Sequence, residues 1–509
     1  MVLLVIWAVS LCGRLRGMSV TPSDDSFRTV IGEVAAILED YWEDLREERL
    51  PVTPDLRPGD VRAMLPDRMP VHGEPIRDVL ADVRRVVMPG LMHWQHPSFL
   101  GYYPTQTSPA SVVGELLASG LAVQHMMWST GPAATELEEA VLDHLAVALG
   151  LPERFLSTGN GGGVLQDSAS SAVLVAVVAA LYRASGGRWR EHGTEGRYRL
   201  YCTDQANSCV PKASRIAGLG EPTLIATRAG TCEMDPRTLR EQLAADRAAG
   251  VVPAIVVTSV GTTGTCAIDP VAAVAAVCRE FGAWLHVDAA YAGSAAICPE
   301  NRWINEGVEH ADSYAVNCHK WLLTGPPCDA MWVADRHSLT AAMDIRPPFL
   351  RNQASDSGDV TDFRDWQVPL MHPFRALKLW FVLRTHGVEG LRAHIREQLS
   401  HAALFADLVR DSPGFELVSH SLGLVCFRLA GDNARTERLR ADLDATHQIL
   451  VTPTTVDGRY ILRAALGSRL ASQTSVRNAW ALVRETAASI PDDRPASSET
   501  SPAAPVGAR

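Results

Sequence analysis

The sequence has few lysines, no closely spaced cysteine pair and no long basic run. Its net charge of −11 disfavours nucleic acid or an anionic membrane as the main partner. The ten cysteines are scattered without a C-x-x-C pair, which is typical of a reduced protein and argues against a disulfide framework or a zinc site. We therefore expect a cytoplasmic protein that binds neither a metal nor nucleic acid.

A convincing membrane segment or signal peptide is also missing. Residues 1–12 are apolar but too few to cross a bilayer. Arg14 and Arg16 follow them, whereas a signal peptide carries its positive charge in front of the apolar run. We expect Met18 to be the true start and residues 1–17 to be an extra extension. At the other end, residues 491–509 are rich in Pro, Ser and Ala and are predicted to be disordered.

The periodicity of apolar residues predicts an α/β protein. The 509 residues are too many for one hydrophobic core. Strand, helix and strand follow one another in the middle of the chain, which is the pattern of parallel βαβ units. The two N-terminal helices could form an arm for a partner subunit or pack on their own chain. The predicted helices are 27–48, 76–87, 169–182 and 270–281, and the predicted strands are 254–260, 284–287 and 424–429.

Only three of the 47 basic side chains are lysines. Arginine keeps its proton near neutral pH, whereas a lysine with a lowered pKa can form an imine with a carbonyl compound. Lys320 follows a strand-like stretch and is therefore the first candidate for covalent chemistry. Lys378 lies in an amphipathic, helix-like segment and is interpreted as a surface residue. Lys212 lies in a loop-like region.

Asp288 is the candidate acid. It ends a buried, strand-like stretch, WLHVD, and α/β sheets bind ligands at such strand ends. A buried carboxylate needs a cation. A protonated pyridine would be such a cation, and the small side chain of Ala290 would leave room for a flat ring. The alternative is an aspartate that caps a following helix, and both interpretations stay open at this point.

A glycine run, GNGGG at 159–163, precedes Ser168, Ala169 and Ser170 at the start of an apolar helix. Glycines allow close backbone approach, and a helix N-terminus offers free N–H groups to a phosphate. An ordinary serine cap is the alternative. The segment GTTG at 261–264 follows another buried strand and could join the same site. A lysine, an acid and a phosphate cradle together indicate pyridoxal 5′-phosphate (PLP).

Seven segments in order resemble the group II PLP-dependent decarboxylases, and most of all the aromatic-L-amino-acid decarboxylases. They are HPSFLGYYPT (96–105), WSTGPAATELE (128–138), GGGVLQDSAS (161–170), VGTTG (260–264), WLHVDAAYAGSAAICPE (284–300), NCHKWLL (317–323) and SDSG (355–358). The resemblance implies a homodimer of PLP-dependent transferase fold type I, similar to aspartate aminotransferase, with a mainly parallel central sheet. The implied parts are an N-terminal helical segment that wraps the partner subunit at 18–105, a large PLP-binding domain at 106–375 and a small C-terminal α+β domain at 376–490.

The resemblance also implies the roles of individual residues. Lys320 is similar to the lysine that holds PLP, Asp288 to the acid at its pyridine nitrogen, and His319 to a residue beside the substrate. The other implied cofactor-side residues are Ser168, Ala169, Ser170, Asn207, Thr263, Asp269, Ala290 and Asn317. The substrate pocket is expected to contain Tyr102, Tyr103, Pro104, Thr105, His125 and Met126. For His125, a place in the core is an equally good interpretation.

Two residues depart from the decarboxylase pattern. Asn207 stands where the family has a histidine that stacks on the PLP ring, and asparagine is neither aromatic nor titratable near neutral pH. Phe349 matches a mobile-loop tyrosine that gives a proton to the substrate carbon after CO₂ leaves. Phenylalanine has no O–H, so the carbanion should persist and molecular oxygen can intercept it. Each change resembles one found in aldehyde synthases of the family, in insect and plant members respectively.

The sequence therefore predicts a PLP-dependent aldehyde synthase. It would decarboxylate an amino acid, aromatic by resemblance, and deaminate it oxidatively with O₂ to an aldehyde, CO₂, NH₃ and H₂O₂. Neutral drift, with His319 or water as the proton donor, would leave an amine-forming decarboxylase instead. A catalytically silent PLP-binding protein is the third possibility. The sequence identifies neither the particular amino acid nor the pathway.

Overall fold

The computed structural model of the chain describes residues 26–345, 347–350 and 353–491. The predicted extension at 1–17 lies outside the described residues, and so does the predicted tail beyond Pro491. The chain divides into two compact units between His93 and Trp94.

The first unit is helical. It contains α1 (Phe27–Arg46), α2 (Asp60–Met64) and α3 (Ile76–Asp82), and a π-helical turn, Val83–Val87, continues α3. Ser26 caps α1 by accepting a hydrogen bond from the Thr29 backbone N–H at 3.3 Å. Both helices predicted for this region are confirmed.

A seven-stranded sheet forms the centre of the second unit. Its strands are β1 (Gly162–Gln166), β2 (Tyr198–Cys202), β3 (Thr223–Leu224), β4 (Val252–Ser259), β5 (Trp284–Asp288), β6 (Ser313–Asn317) and β7 (Asp329–Val333). They lie in the order β1-β7-β6-β5-β4-β2-β3. The pairs from β2 to β6 are parallel, whereas β7 runs antiparallel to both of its neighbours, β1 and β6. The prediction of an α/β protein with a mainly parallel sheet is confirmed.

Eleven α-helices precede the C-terminal layer in the described part of the second unit, and several of them pack on the central sheet. They are α4 (Pro109–Leu121), α5 (Pro132–Leu149), α6 (Ala169–Ser185), α7 (Trp189–His192), α8 (Cys209–Ile216), α9 (Pro236–Ala248), α10 (Val271–Phe281), α11 (Cys318–Trp321), α12 (Arg336–Met343), α13 (Gln353–Ser357) and α14 (Ala376–Arg410). Helix α6 packs across the middle strands, and most of its alanines and valines are buried. Non-helical backbone at Gly387 divides α14 into two helical segments.

The C-terminal part is a smaller α+β layer. Its antiparallel sheet has the order β10-β11-β9-β8, and the second part of α14 packs on it with two further helices. These elements are β8 (Phe415–Ser421), β9 (Leu424–Leu429), α15 (Asn433–Asp444), β10 (Thr452–Val456), β11 (Arg459–Ala465) and α16 (Gln473–Ala488). The predicted strand 424–429 is confirmed as β9. Of the helices in the described ranges, none is long and apolar enough to cross a membrane.

One prediction for α14 is wrong. Lys378 is not a surface residue, because it is only 1 % exposed. Its Nζ lies 2.7 Å from Glu115 Oε2 on α4. The two helices approach closely at Gly114, where a Cβ would come within 2.6 Å of the Lys378 Cα. The helical periodicity was predicted correctly, but α4 decides which face of α14 is covered.

Candidate active site

Four adjacent strands of the central sheet each place a polar residue at the same edge, which is formed by the strand ends. Strand β4 ends at Ser259, β5 at Asp288 and β6 at Asn317. Strand β7 runs the other way, so its first residue, Asp329, lies opposite Asn317 at this same edge. Parallel strands collect the residues at their carboxyl ends, which is where α/β sheets bind ligands.

A cavity at this edge brings most of the predicted cofactor residues together. The predicted residues in its lining are Tyr103, Ser168, Ala169, Ser170, Asn207, Thr263, Asp288, Ala290, Asn317 and Lys320. The lining also contains Gly261 of the predicted GTTG segment, together with Cys209, Ser259 and Tyr291, which were not predicted. Ser259 could have been found by the strand-end rule that identified Asp288, because it ends the neighbouring strand.

Lys320 and Asp288 influence each other within this buried site. Burial lowers the pKa of Lys320, although the nearby carboxylates oppose the shift. Burial raises the pKa of Asp288, and the charge of Lys320 opposes that shift in turn. The Asp288 carboxylate accepts a hydrogen bond from the Ala290 backbone N–H at 3.1 Å. A lysine with a lowered pKa is suited to attack a carbonyl group, and a buried acid of this kind is suited to a cationic ring nitrogen.

The N-terminus of α6 lines one end of the cavity. Ser168 is the N-cap residue, but its side chain makes no capping hydrogen bond to the helix. Its Oγ instead donates to Asp167 Oδ1 at 3.1 Å. The first backbone N–H groups of a helix without a side-chain cap are available to a phosphate.

The glycine run predicted as part of the phosphate cradle has a packing role instead. Gly162 and Gly163 belong to β1. A Cβ on Gly162 would lie 2.8 Å from the Trp366 ring, and one on Gly163 would lie 2.9 Å from the Trp332 ring. These glycines allow two tryptophans to pack against the strand, and they do not line the cavity.

The turn after β4 holds Asn207 in place. Asn207 Nδ2 donates to Thr263 Oγ1 at 3.1 Å, and Asn207 Oδ1 accepts from the Cys209 backbone N–H at 3.0 Å. Gly261 has a φ of +95°, and a Cβ there would lie 2.6 Å from the Ala292 Cβ. Only glycine suits this turn, so the predicted contribution of the GTTG segment is supported by the backbone.

An aromatic stack forms another wall. The ring of Tyr103 stacks on Tyr291 with centroids 3.8 Å apart, and Tyr291 stacks on Trp321 at 4.5 Å. The Tyr103 hydroxyl donates to the Thr262 carbonyl oxygen at 3.1 Å. Lys320 Nζ lies 5.6 Å from the centre of the Tyr103 ring. The stack gives the lysine a rigid, apolar neighbour.

Two predicted residues lie beside the cavity and not in its lining. Asp269 accepts hydrogen bonds from the backbone N–H groups of Ser259 at 2.7 Å and Met234 at 2.8 Å, so it holds the end of β4. Burial raises the pKa of Asp269 to about 6. Nδ1 of His319 lies 2.9 Å from the Cys328 carbonyl oxygen. Burial and the charge of Lys320 lower the pKa of His319 to about 4, so its ring is neutral at pH 7.

The predicted substrate-pocket residues are spread out. Tyr102 is exposed and stacks on Trp94 at 5.5 Å, whereas Tyr103 lines the cavity. His125 is completely buried, with Nε2 3.1 Å from Glu138 Oε2, which supports the interpretation as a core histidine. Pro104, Thr105 and Met126 are also outside the cavity lining. Phe349 lies in the short 3₁₀ turn Pro348–Leu350, and its side chain lies outside the described part of the chain.

These residues fit PLP. The buried carboxylate of Asp288, whose pKa is raised, is suited to pair with the pyridine nitrogen. Lys320, whose pKa is lowered, is suited to react with the carbonyl carbon. An uncapped helix N-terminus is suited to the phosphate. The small side chain of Ala290 leaves space for a flat ring. Fold and site therefore define a PLP-dependent enzyme of the α/β type.

Comparisons with known proteins agree with this geometry. The chain belongs to the family described by the pyridoxal-dependent decarboxylase conserved domain, which matches residues 58–430. It is 42 % identical to phenylacetaldehyde synthase of Arabidopsis thaliana over 88 % of this chain and 93 % of that protein. It is 40 % identical to aromatic-L-amino-acid decarboxylase of Rattus norvegicus over 91 % of this chain and 98 % of that protein.

The chain is also similar to solved structures. The structure of Oryza sativa TDC with PLP and tryptamine superposes with a TM-score of 0.88 at 40 % identity, over 92 % of this chain and 98 % of that one. The protein is therefore an enzyme with PLP-dependent decarboxylase-type chemistry, and its cofactor is PLP. The predicted family, fold class and cofactor are confirmed.

Proposed function

We propose that this enzyme is an aromatic aldehyde synthase. It converts an aromatic L-amino acid, O₂ and water to the corresponding aldehyde, CO₂, NH₃ and H₂O₂, with one molecule of each formed or consumed. PLP supplies the electron sink that lets the carboxylate leave. The chain's own residues then decide whether a proton or O₂ meets the carbon that has lost CO₂.

The observation that carries the proposal is the pair of residues at 207 and 349. Asn207 lies in the cavity wall, and its hydrogen bonds to Thr263 and Cys209 hold the amide in a fixed plane. A neutral amide replaces a titratable ring at this place. Phenylalanine at 349 has no O–H to donate. Both changes remove a group that could supply or relay a proton.

The alternative proton donor from the sequence, His319, is poorly suited to the task. A general acid near neutral pH needs a pKa near the working pH. With a pKa of about 4, His319 is not an imidazolium at pH 7. This supports slow protonation of the reacting carbon, which is the condition for attack by O₂.

The aromatic substrate class rests on the relatives. Phenylacetaldehyde synthase and aromatic-L-amino-acid decarboxylase both match this chain at 40 % identity or more. The stacked rings of Tyr103 and Tyr291 in the cavity wall are compatible with a flat, apolar side chain.

The proposal is tested by product analysis. Purified enzyme with PLP is given phenylalanine, tyrosine, tryptophan or 3,4-dihydroxyphenylalanine, and O₂ uptake, aldehyde, amine, ammonia and peroxide are measured. We expect aldehyde, ammonia and peroxide in equal amounts and matched by O₂ uptake. Stoichiometric amine without O₂ uptake would reject the aldehyde synthase.

The second candidate is an amine-forming aromatic amino acid decarboxylase. It is favoured by the rat relative, which is nearly as similar to this chain as the plant aldehyde synthase. Bound PLP with no turnover of any amino acid would instead support a silent PLP-binding protein.

We also propose a cytoplasmic homodimer, in which residues 18–105 wrap the partner subunit.

A further inference from the structure

Asp329 is a second buried carboxylate at the cofactor site. It is completely buried. It reaches the site because β7 is antiparallel, which places the first residue of β7 opposite the last residue of β6, Asn317. It is not part of the cavity lining, so it lies behind the residues that face the cofactor.

A chain of hydrogen bonds joins Asp329 to the catalytic lysine. The Asn317 amide nitrogen donates to Asp329 Oδ2 at 2.6 Å, and the Asn317 amide oxygen accepts from Lys320 Nζ at 3.2 Å. In the opposite orientation, the Asn317 oxygen would face Asp329 Oδ2, and the Asn317 nitrogen would face Lys320 Nζ. Two acceptors would then meet at one end of the amide and two donors at the other. Because Asp329 accepts through Oδ2 from the nitrogen end, and a proton on the acid would lie on Oδ1, Asp329 fixes which end of Asn317 faces Lys320.

The charges around Asp329 favour a protonated acid. Burial raises the pKa of Asp329 far above its ordinary value, and the negative charge of Asp288 adds to the shift. Lys320 is one cation shared between two carboxylates, and Asp288 competes for it. Within the described chain, Asp329 Oδ1 has no hydrogen-bond partner. An ionised oxygen left without a donor is costlier to bury than a neutral one.

We propose that Asp329 is a positioning residue that carries its proton on Oδ1 and acts on Lys320 through Asn317. By accepting from the Asn317 nitrogen, it keeps the Asn317 oxygen turned toward Lys320 Nζ, and so holds the lysine where it meets the carbonyl carbon of PLP. The inference does not depend on whether the enzyme forms an aldehyde or an amine, because it concerns the lysine before any substrate is bound.

The scarcity of lysine makes the test direct. Full-length protein freed of PLP is labelled at trace level with acetic anhydride across a pH series, and the peptides that contain Lys320 and Lys212 are quantified by mass spectrometry. The labelling midpoint of Lys320 reports the ionisation of this one amine. Lys212 is exposed on α8 and serves as an internal control in every sample. No turnover enters the measurement.

Two substitutions separate a neutral acid from an ionised one. Asp329→Asn keeps an acceptor for Asn317 and cannot carry charge, so we expect the Lys320 midpoint to stay within about 0.3 pH units of the wild type. A fall of more than one pH unit would mean that Asp329 is an ionised counter-ion, and would overturn the proposal.

Asp329→Leu removes the acceptor and leaves the Asn317 amide free to rotate. We expect it to lower the midpoint by about one pH unit and to weaken PLP binding about tenfold, as for one lost hydrogen bond to a charged group.

A double substitution shows whether the effect passes through Asn317. In an Asn317→Ala background, Asp329→Leu is expected to change the Lys320 midpoint no further, because the connecting amide is already absent. An equal shift in both backgrounds would contradict the proposed route. An unchanged midpoint in the single Asp329→Leu variant would also overturn it. Circular dichroism identifies a variant that has simply lost its structure.

Discussion

At the scale of single residues, the proposed function makes the product depend on the groups that can donate a proton. Lys320 and Asp288 were predicted from residue chemistry, and the structure places both in one cavity lining with opposed charges. Asn207 was predicted from its place in a sequence motif, and its two hydrogen bonds make it part of the wall. The identity of these residues therefore bears directly on the reaction.

The substitution Phe349→Tyr is expected to shift the product from aldehyde toward amine. A tyrosine O–H restores a proton donor, and general acid catalysis contributes about 10²-fold or more to such a step. We expect the amine-to-aldehyde ratio, measured by chromatography with peroxide detection, to rise by at least about tenfold. Phe349→Leu is the matched control, because it changes the side chain without adding an acid. An unchanged ratio in Phe349→Tyr would contradict the role assigned to position 349.

At the scale of secondary-structure elements, the positions of the strands were predictable and one strand direction was not. Buried apolar runs predicted β4 and β5 to within two residues at each end. Nothing in the short sequence of β7 indicates that it runs antiparallel. That direction brings Asp329 next to Asn317, so the second acid of the site could not be found from periodicity alone.

The crossing of α4 and α14 gives a prediction for a pair of glycines. Gly114→Ala places a methyl group 2.6 Å from the Lys378 Cα, so we expect a loss of about 1–3 kcal/mol in the free energy of unfolding, as for overpacked cores. Gly120→Ala on the same helix has nothing within 4 Å of its new Cβ and should gain about 0.5–1 kcal/mol from helix propensity. Urea unfolding followed by circular dichroism measures both. Equal effects of the two changes would argue against the close approach.

At the scale of the whole molecule, stability is expected to fall in acid because buried histidines must stay neutral. His286 is completely buried, and burial lowers its pKa to about 3. In the unfolded chain its pKa is about 6.5. Its contribution is therefore fully present above about pH 6.5 and decreases as the pH falls toward 3, by up to about 1.4 kcal/mol per pH unit. The melting temperature of His286→Gln should depend less steeply on pH between 7 and 5. Parallel curves for variant and wild type would show that this histidine does not contribute.

The proposed homodimer is a second property of the whole molecule, and it is tested by measuring the oligomeric state in solution. Helix α4 exposes an apolar face, with Leu117 45 % and Leu121 60 % exposed, which is the kind of surface that a subunit interface covers. We expect light scattering to give a dimer for the wild type and a monomer for the double change Leu117→Glu and Leu121→Glu. Val147→Glu, on α5 and 62 % exposed, is the matched control. A monomeric wild type would refute the dimer.

The class of chemistry, a PLP-dependent reaction on an amino acid, could be predicted from the sequence. A lysine that can lose its proton, an acid at the end of a buried strand and a serine-led helix are local features, and each follows from residue type and position along the chain. The burial of Lys378, the packing of the glycine run against tryptophans and the place of Asp329 at the site could not be predicted in this way. These facts depend on which distant segments pack together, and strand pairing and helix crossing are set by contacts between residues far apart in the chain.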